Sequence, residues 1–346
     1  MTFSQIRHDD IGKAANILSE GGLVALPTET VYGLAADARQ DDAVRKIFEV
    51  KGRPNFNPLI VHVPGIEAAR AIGEFDELSI QLVEKFWPGP LTIVVPLKAD
   101  AGISKTVTAG LETIALRVPA HQLSQELLKT SGLALAAPSA NSSGRLSPTS
   151  AEHVRQDLGE RVDFILDGGA TKRGLESTIV KVETSDETNE PYLVLLRSGP
   201  VTVDELEEAI GKRVVCPDVA IDETKINEKK EKPSDYSMGS AVELPIAPGA
   251  LLRHYAPQTP VRLGAVEVHS GEGVLGFGPE DESLLNGAPF YNLSETGNLD
   301  EAAARLFAGL HWMDKQGVTT IAIRPIPLDG VGVAINDRLQ RAANSS

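Results

Sequence analysis

Apolar residues in the first 210 positions fall into short runs that alternate with amphipathic segments. The short runs predict β-strands, because each is mostly apolar and is bounded by turn residues. They occupy residues 23–27, 59–63, 91–97, 113–118, 133–137, 164–166, 177–182 and 192–196. Helical spacing of apolar residues predicts helices at 9–20, 41–50 and 204–210, the second of which opens on an acidic cap. The alternation predicts a mixed α/β domain.

The pattern changes beyond residue 210. Residues 218–240 are polar, charged and poor in apolar side chains, which predicts an exposed linker. The elements predicted after it are strands at 261–268, 273–277 and 320–323 and a helix with one apolar face at 299–316. We therefore expect three parts, namely an α/β unit at 1–210, a linker at 211–257 and a smaller α/β unit at 258–346.

The composition is acidic. The chain of 346 residues has a net charge of −15, and positions 1–210 and 211–346 each hold more acidic than basic residues. A protein that neutralises a nucleic-acid duplex needs the opposite balance, so a cationic site here must be local. Cys216 is the single cysteine, which excludes an intrachain disulfide. We find no signal-like apolar core near residue 1 and no run of about 18 apolar residues, and we expect a cytoplasmic protein.

Polar and cationic side chains flank the first two predicted strands. Thr28, Glu29 and Thr30 come directly after the first strand, and ligands in open α/β sheets bind at the carboxyl ends of strands. Lys51 and Arg53 precede the second strand on a predicted loop with two prolines, where they are suited to hold phosphate oxygens. The alternatives are a capped turn for the first group and an ordinary cationic helix end for the second.

Polar residues also stand at the ends of other strands. His62 closes the second strand, where a hydrogen-bonded core histidine is the alternative to a ligand contact. Ser139 and Asn141 belong to a loop of small residues that suits an anion-binding nest or a flexible turn. Arg117 and Arg197 each end an apolar strand, and a buried arginine needs an anionic partner, either a structural carboxylate or a substrate.

Common catalytic motifs do not account for these residues. The sequence has no GxxxxGK[ST] phosphate loop, no HExxH or Cys/His metal cluster and no GxSxG nucleophile elbow. A GxGxxG string at Gly271, Gly273 and Gly276 enters a predicted strand instead of opening a helix, so we reject it as a dinucleotide site. A reaction driven by positioning and charge neutralisation is therefore favoured over covalent catalysis.

Together, these segments resemble the threonylcarbamoyl-AMP synthase (YrdC-like) family. The matching segments occur in the family order and are PTETVYGL (27–34), KGRPNFNPLIVH (51–62), WPGPLTIV (87–94), TIALRVP (113–119), APSANSSG (137–144), STIV (177–180) and LRSGP (196–200). The string PGALLRHYAP (248–257) is similar to the end of the linker in the two-domain form of the family, although residues 250–252 depart from the usual Met-Lys-Tyr. In that form a small Rossmann-like domain follows.

The resemblance implies a fold and a set of site residues. The implied fold is α/β, a twisted open mixed sheet with a large concave cavity, followed by the Rossmann-like domain. The residues implied to hold threonine are Thr30, His62, Arg117, Ala137 through its backbone, and Ser177. Those implied to hold ATP are Lys51, Arg53, Asn57, Thr113, Ser139, Asn141, Ser147, Arg197 and, from the linker, His254. Charge reversal at Lys51 or Arg53 is expected to cut turnover with little loss of fold, because both are predicted on a loop.

The implied reaction joins L-threonine, bicarbonate and ATP into threonylcarbamoyl-AMP and pyrophosphate, for the threonylcarbamoyladenosine modification of tRNA. Mg²⁺ is expected to enter with ATP and not through a protein-bound metal site. The implied partner is the tRNA threonylcarbamoyltransferase machinery, with weak or no direct tRNA binding and no membrane contact. The alternatives are an RNA-binding module of the same fold, another carbamoyl transfer as in hydrogenase maturation, and a sensor that binds threonine or nucleotide without turnover. A single cysteine excludes the zinc fingers that the hydrogenase-maturation proteins carry.

Overall fold

The computed structural model describes residues 3–185, 187–217, 255–285 and 287–344. The strands up to residue 217 are β1 (Val24–Leu26), β2 (Gly33–Asp37), β3 (Ile60–His62), β4 (Leu91–Pro96), β5 (Thr113–Arg117), β6 (Leu135–Ala136), β7 (Phe164–Ile165), β8 (Thr178–Thr184), β9 (Pro191–Arg197) and β10 (Val214–Val215). The α-helices are α1 (Phe3–Ser19), α2 (Asp41–Lys51), α3 (Ile66–Arg70), α4 (Glu77–Phe86), α5 (Lys105–Thr108), α6 (Gln122–Ser131), α7 (Ala151–Asp157) and α8 (Val203–Ile210). Each of the eight predicted strands therefore exists, with both ends within two residues of the prediction.

These strands form one mixed sheet in the order β10-β9-β8-β4-β5-β3-β6-β2-β1-β7. The sheet contains parallel pairs, such as β3 with β5 and β4 with β8, and antiparallel pairs, such as β4 with β5 and β8 with β9. The register of β3 and β5 sets His62 opposite Arg117, and the register of β8 and β9 sets Ile179 opposite Arg197. The mixed α/β sheet that the sequence predicts is therefore confirmed, and its register brings distant strand ends together.

Helix α2 begins differently from the prediction. Its N-cap is Gln40, whose side chain makes no capping hydrogen bond, and Asp41 lies inside the first turn. The Asp41 carboxylate instead accepts hydrogen bonds from the hydroxyls of Ser104 and, at 2.6 Å, Thr106. The acidic cap predicted for this helix is wrong, because the carboxylate connects α2 to the N-terminal end of α5.

The part beyond residue 255 contains a second sheet. Its elements are β11 (Val261–Arg262), β12 (Glu272–Gly276), β13 (Phe290–Asn292), α9 (Leu299–Met313), β14 (Thr320–Ile323) and α10 (Gly332–Ala343). All pairs in the order β11-β14-β12-β13 are parallel. The first strand is much shorter than predicted, since the backbone turns at Gly264, whose φ of 64° is left-handed. Gly273 and Gly276 lie within β12, so the GxGxxG string opens no helix, as predicted.

The apolar core of the second unit extends into the first. Phe307 and Leu310 of α9 belong to the same buried cluster as Val31, Leu146 and Leu175. This shared core fixes α9 and α10 against the segments that follow β1 and precede β8. The predicted linker lies mostly outside the described residues. No helix in the described ranges is long and apolar enough to cross a membrane.

Candidate active site

A cavity opens where several strands of the large sheet end. Its empty space measures about 560 Å³, part of it continuous with solvent. The residues of the predicted site that line it are Thr30, Arg53, His62, Arg117, Ala137, Ser139, Ser177 and Arg197. Thr28, Val31, Gly33, Ile60, Pro138, Glu176 and Tyr255 complete the lining. The cavity thus contains the whole predicted threonine set and three members of the predicted ATP set.

The hydroxyls of the threonine set belong to short hydrogen-bonded pairs. Thr30 Oγ1 lies 2.8 Å from Thr28 Oγ1, which also donates to the carbonyl of Val31. Ser177 Oγ lies 2.7 Å from Thr92 Oγ1 in the neighbouring strand. These pairs fix the hydroxyls at the cavity wall before any ligand arrives.

Arg117 is ion-paired inside the protein. One of its terminal nitrogens lies 2.6 Å from Glu29 Oε1, and both side chains are less than a tenth exposed. The second carboxylate oxygen of Glu29 accepts a hydrogen bond from the amide of Ala120 at 2.9 Å. Arg117 Nε donates to the carbonyl of Gly89. The partner of this arginine is therefore a structural carboxylate, while the guanidinium still faces the cavity.

His62 is neutral. Its side chain is 3 % exposed, and burial together with the nearby charge of Arg117 lowers its pKa to about 3. Its Nδ1 is buried and has no hydrogen-bond partner among the described residues. Backbone hydrogen bonds at Ile60 and Leu135 act in the opposite direction on this pKa, so a hydrogen-bonded core histidine remains the alternative for the ring as a whole. A neutral ring next to Arg117 adds no further positive charge to this side of the cavity.

Arg53 and Arg197 provide two more guanidinium groups. Arg53 donates to the carbonyls of Asn57 and Pro58, and burial lowers its pKa to about 10, which leaves it charged at neutral pH. Arg197 donates to the carbonyl and to the hydroxyl of Ser177, at 2.8 and 3.1 Å. With Arg117, three arginines line the cavity against one glutamate, so the cavity favours anions in a chain that is acidic overall.

Lys51 lies in a different environment from the predicted one. It is the last residue of α2 and 3 % exposed, and its ammonium group donates to the carbonyls of Ser139 and Asn141. Burial lowers its pKa well below the usual range. Arg53 lies on the loop, as predicted, but Lys51 ends α2, and both side chains are buried and hydrogen-bonded to backbone carbonyls. In place of the sequence-based expectation, we expect charge reversal at either position to cost stability as well as turnover. A reversed charge would face carbonyl oxygens without a donor.

The remaining predicted ATP residues lie outside the lining. Asn57 and Asn141 are buried, and the Oδ1 atom of each has no partner in the described structure. Ser147 is buried and donates to Glu176. Thr113 opens β5, about 13 Å along the strand from Arg117. His254 lies outside the described residues, and the roles of all five stay predictions.

Three residues that the sequence reasoning did not assign to the site belong to it or support it. Glu176 and Tyr255 line the cavity, and Arg338 of α10 bonds to Glu176 at 2.8 Å. Arg338 occupies the apolar face of α10, between Ile335 and Leu339. An arginine on an apolar helix face indicates a buried anionic partner, but the sequence did not show α10 itself. The described residues contain no group of three His, Cys, Asp or Glu side chains that could hold a metal ion.

Two family models match this chain. The family model described as telomere recombination (Sua5, YciO and YrdC) matches residues 16–199. A second model, described as the threonylcarbamoyl-AMP synthase C-terminal domain, matches residues 201–344. The chain belongs to the Sua5/YciO/YrdC family. The predicted resemblance is therefore confirmed, including the two-domain form.

Relatives within the Sua5/YciO/YrdC family match nearly the whole chain. The threonylcarbamoyl-AMP synthase of Bacillus subtilis is 39% identical over 346 residues, covering 96% of this chain and 92% of that protein. That of Pyrococcus abyssi is 38% identical over 348 residues, covering 95% and 93%. A crystal structure of P. abyssi Sua5 in complex with L-threonine superposes with a TM-score of 0.81 at 35% identity, covering 97% of this chain and 94% of that one. The fold is thus shared along both units.

Proposed function

We propose that this protein is a threonylcarbamoyl-AMP synthase, an enzyme of the nucleotidyltransferase type that uses L-threonine, bicarbonate and ATP. The observation that carries the proposal is the cavity itself. It holds the complete predicted threonine set beside Arg53, Ser139 and Arg197. The names of the full-length relatives and the L-threonine complex of P. abyssi Sua5 support the same activity.

Threonine is proposed to bind with its carboxylate on Arg117. Arg117 uses its Nε for the carbonyl of Gly89 and one terminal nitrogen for the carboxylate of Glu29. A guanidinium has five N–H donors in a planar fork, so others are left for a substrate carboxylate. The hydroxyls of Thr30 and Ser177 and the backbone of Ala137 complete the proposed contacts. The neutral ring of His62 gives the threonine amine a neighbour without charge.

The proposed chemistry needs no covalent intermediate with the protein. The threonine amine attacks the carbon of CO₂ derived from bicarbonate and loses a proton, which gives an N-carboxylate. An oxygen of this carboxylate then attacks the α-phosphorus of ATP in line, and the bond to the β-phosphate oxygen breaks to release pyrophosphate. The protein's part is to hold the three reactants in this geometry and to stabilise the charge that develops.

Charge on the triphosphate is proposed to be offset by Arg53 and Arg197, while Lys51 supports the Ser139–Asn141 loop through its carbonyls. Mg²⁺ is proposed to enter as part of the MgATP substrate. Glu176 is the one carboxylate among the described residues of the lining, and its two oxygens already accept hydrogen bonds from Ser147 and Arg338. These described residues therefore do not fit a resident metal ion.

The product is a mixed anhydride that hydrolyses in water, so a downstream acceptor has to take it up quickly. We propose the tRNA threonylcarbamoyltransferase machinery for this role and the cytoplasm as the place where all substrates are available. Direct tRNA binding is proposed to be weak, since the chain carries a net charge of −15. An RNA-binding module without adenylate chemistry is not favoured, because the relatives are named as synthases along the full chain.

The direct test is pyrophosphate release by the purified protein with MgATP, threonine and bicarbonate. We expect release only when all three are present, and serine or valine in place of threonine should support less. Release that is indifferent to threonine would reject the proposed function. A salt-sensitive shift of tRNA on a gel without ATP would instead favour the RNA-binding alternative.

A further inference from the structure

Arg338 of the second unit contacts the wall of the cavity in the first unit. It is 1 % exposed and is the largest fully buried side chain of the described residues. Its Nε donates to Glu176 Oε2 at 2.8 Å, and one terminal nitrogen donates to the carbonyl of Ser198 at 2.8 Å. The other terminal nitrogen lies 2.6 Å from the carboxylate of Asp337. The guanidinium also lies over the ring of Tyr255, 5.1 Å from its centroid.

These contacts lie next to residues of the proposed ATP site. Glu176 and Ser177 are neighbours in one segment, and Arg197 and Ser198 are neighbours in another. Arg338 bonds to both segments, and on the cavity side Arg197 also connects them by donating to the carbonyl of Ser177. The second oxygen of Glu176 accepts the hydroxyl of Ser147. A continuous chain of hydrogen bonds therefore runs from α10 through Glu176 to Ser147.

We propose that Arg338 is a positioning residue of the active site, which holds Glu176, Ser147 and the Arg197 segment in the arrangement that receives ATP. The inference rests on the proposed function for the identity of the nucleotide. Glu176 faces the cavity, and a carboxylate without its arginine would repel a triphosphate in the same space. Arg338 balances that charge from behind the wall, where it does not touch the ligand itself.

The charge balance at Glu176 explains why an arginine is buried at this point. Burial raises the pKa of Glu176, but Arg338, Arg197 and the Ser147 hydroxyl together lower it by more than burial raises it. The pKa of Glu176 therefore lies below its usual value. A buried pair of this kind is harmful when one partner is removed and close to neutral when both become uncharged. The contribution of Arg338 is therefore measurable by removing one charge and then both.

The test uses the full-length protein and four variants, Arg338→Met, Arg338→Lys, Glu176→Gln and the double variant R338M/E176Q. Pyrophosphate release gives kcat and the KM values for ATP and threonine, and calorimetry gives the Kd for ATP alone. We expect Arg338→Met to raise the KM and Kd for ATP about 100-fold, with a change in the threonine KM of about threefold or less. The double variant should recover at least about tenfold of this loss, because neither charge remains.

Arg305→Met is the matched control. Arg305 lies in the same unit, pairs with Glu301 at 3.2 Å and lies 5.0 Å from the ring centroid of Tyr291, but it is 41% exposed in its side chain and belongs to a pair within α9. We expect its kinetic constants to stay within twofold of the wild type. If Arg338→Met does not fold by circular dichroism, Arg338→Lys takes its place with an expected rise of about tenfold, since lysine keeps the charge but not the fork.

The inference is overturned if the folded Arg338 variant binds ATP within twofold of the wild type, or if the KM values for ATP and threonine rise equally. It is also overturned if the Kd for ATP in R338M/E176Q rises by the product of the factors found for Arg338→Met and Glu176→Gln alone. A wild type without threonine-dependent pyrophosphate release would reject the proposed function, while the ratio of ATP Kd values would still decide on Arg338.

Discussion

At the residue scale, the ion pair of Glu29 and Arg117 controls the charge and the geometry of the cavity. Glu29 is anchored by the amide of Ala120, so its carboxylate is a fixed reference point for the guanidinium. A bare arginine at this position would have more rotamers and a stronger local positive charge. The pair therefore gives a substrate carboxylate a partner that is already oriented, which reduces the entropy lost on binding.

Replacement of Glu29 tests this role. We expect Glu29→Gln to raise the KM for threonine about tenfold, because a neutral amide holds the guanidinium less firmly than a carboxylate, and to change the KM for ATP much less. Steady-state pyrophosphate release at saturating levels of the other substrate measures both constants. The control is Asp300→Asn, which removes an exposed ion pair with Arg173. Equal rises in both KM values would show that Glu29 supports the fold of the site as a whole.

Residue types at strand ends were enough to predict much of the candidate site. Arg117 and Arg197 were identified as buried arginines in need of a partner, but the sequence did not say which partner. The partner of Arg117 is 88 positions away along the chain, and only the sheet order brings Glu29 to it. Lys51 was predicted to hold phosphate from a loop, with a cationic helix end as the alternative, and it ends α2. Nothing in the local sequence shows that its ammonium group is directed at two carbonyls.

At the scale of elements, short runs that are mostly apolar were the most reliable signal. β2 was missed because Gly33–Asp37 contains glycine, alanine and an acidic residue, and its burial comes from neighbouring strands and from packing against α1 and α2. α4 and α6 were not assigned individually, although Asp76 and His121 cap them through side-chain hydrogen bonds. Short helices of this kind depend on tertiary packing more than on their own propensity.

Helix α10 shows a different limit. Its buried face includes Ala334, Ile335, Leu339 and Ala342 at helical spacing, but Arg338 interrupts the apolar pattern. A charged residue at a core position weakens the periodicity from which a helix is predicted. The same residue marks the contact with Glu176, so the feature that hid the helix is the one that connects it to the cavity.

At the scale of the whole molecule, a pair of histidines lies between the two units. The rings of His153 in α7 and His311 in α9 stack with centroids 3.9 Å apart and planes at 23°. His153 Nδ1 accepts the amide of Thr149, and His311 Nε2 lies 3.3 Å from the carbonyl of Ser147. Burial and the neighbouring His311 lower the pKa of His153 to about 3, and burial also lowers that of His311.

This pair predicts a loss of stability below neutral pH. The pKa of both rings is lowered in the folded protein, whereas an unfolded histidine takes up a proton near pH 6.5. Their stabilising contribution is therefore complete above pH 6.5 and falls as the pH drops, for His153 down to about 3. Each ring adds up to about 1.4 kcal/mol per pH unit to the slope of the unfolding free energy. Urea titrations between pH 8 and 5 measure this slope.

The charged groups around the rings are Lys315, Asp314 and Asp157. None of them is removed in His153→Phe, which keeps an aromatic ring in the stack but cannot titrate. We expect the unfolding free energy of this variant to change less steeply with pH between pH 6.5 and 5. The difference should approach one proton, or about 1.4 kcal/mol per pH unit. An unchanged slope would mean that His153 takes up its proton at the same pH in the folded and in the unfolded protein.

The most direct test of the central claim, that one cavity joins threonine to the adenylate of ATP, is the mass of the product. The protein is incubated with MgATP, threonine and [¹³C]bicarbonate, and the mixture is analysed at once by mass spectrometry. We expect one species that contains threonine, AMP and a single ¹³C atom, formed in equal amount with pyrophosphate. ATP turnover that yields unlabelled threonyl-adenylate, or no adenylate that contains threonine, would contradict it.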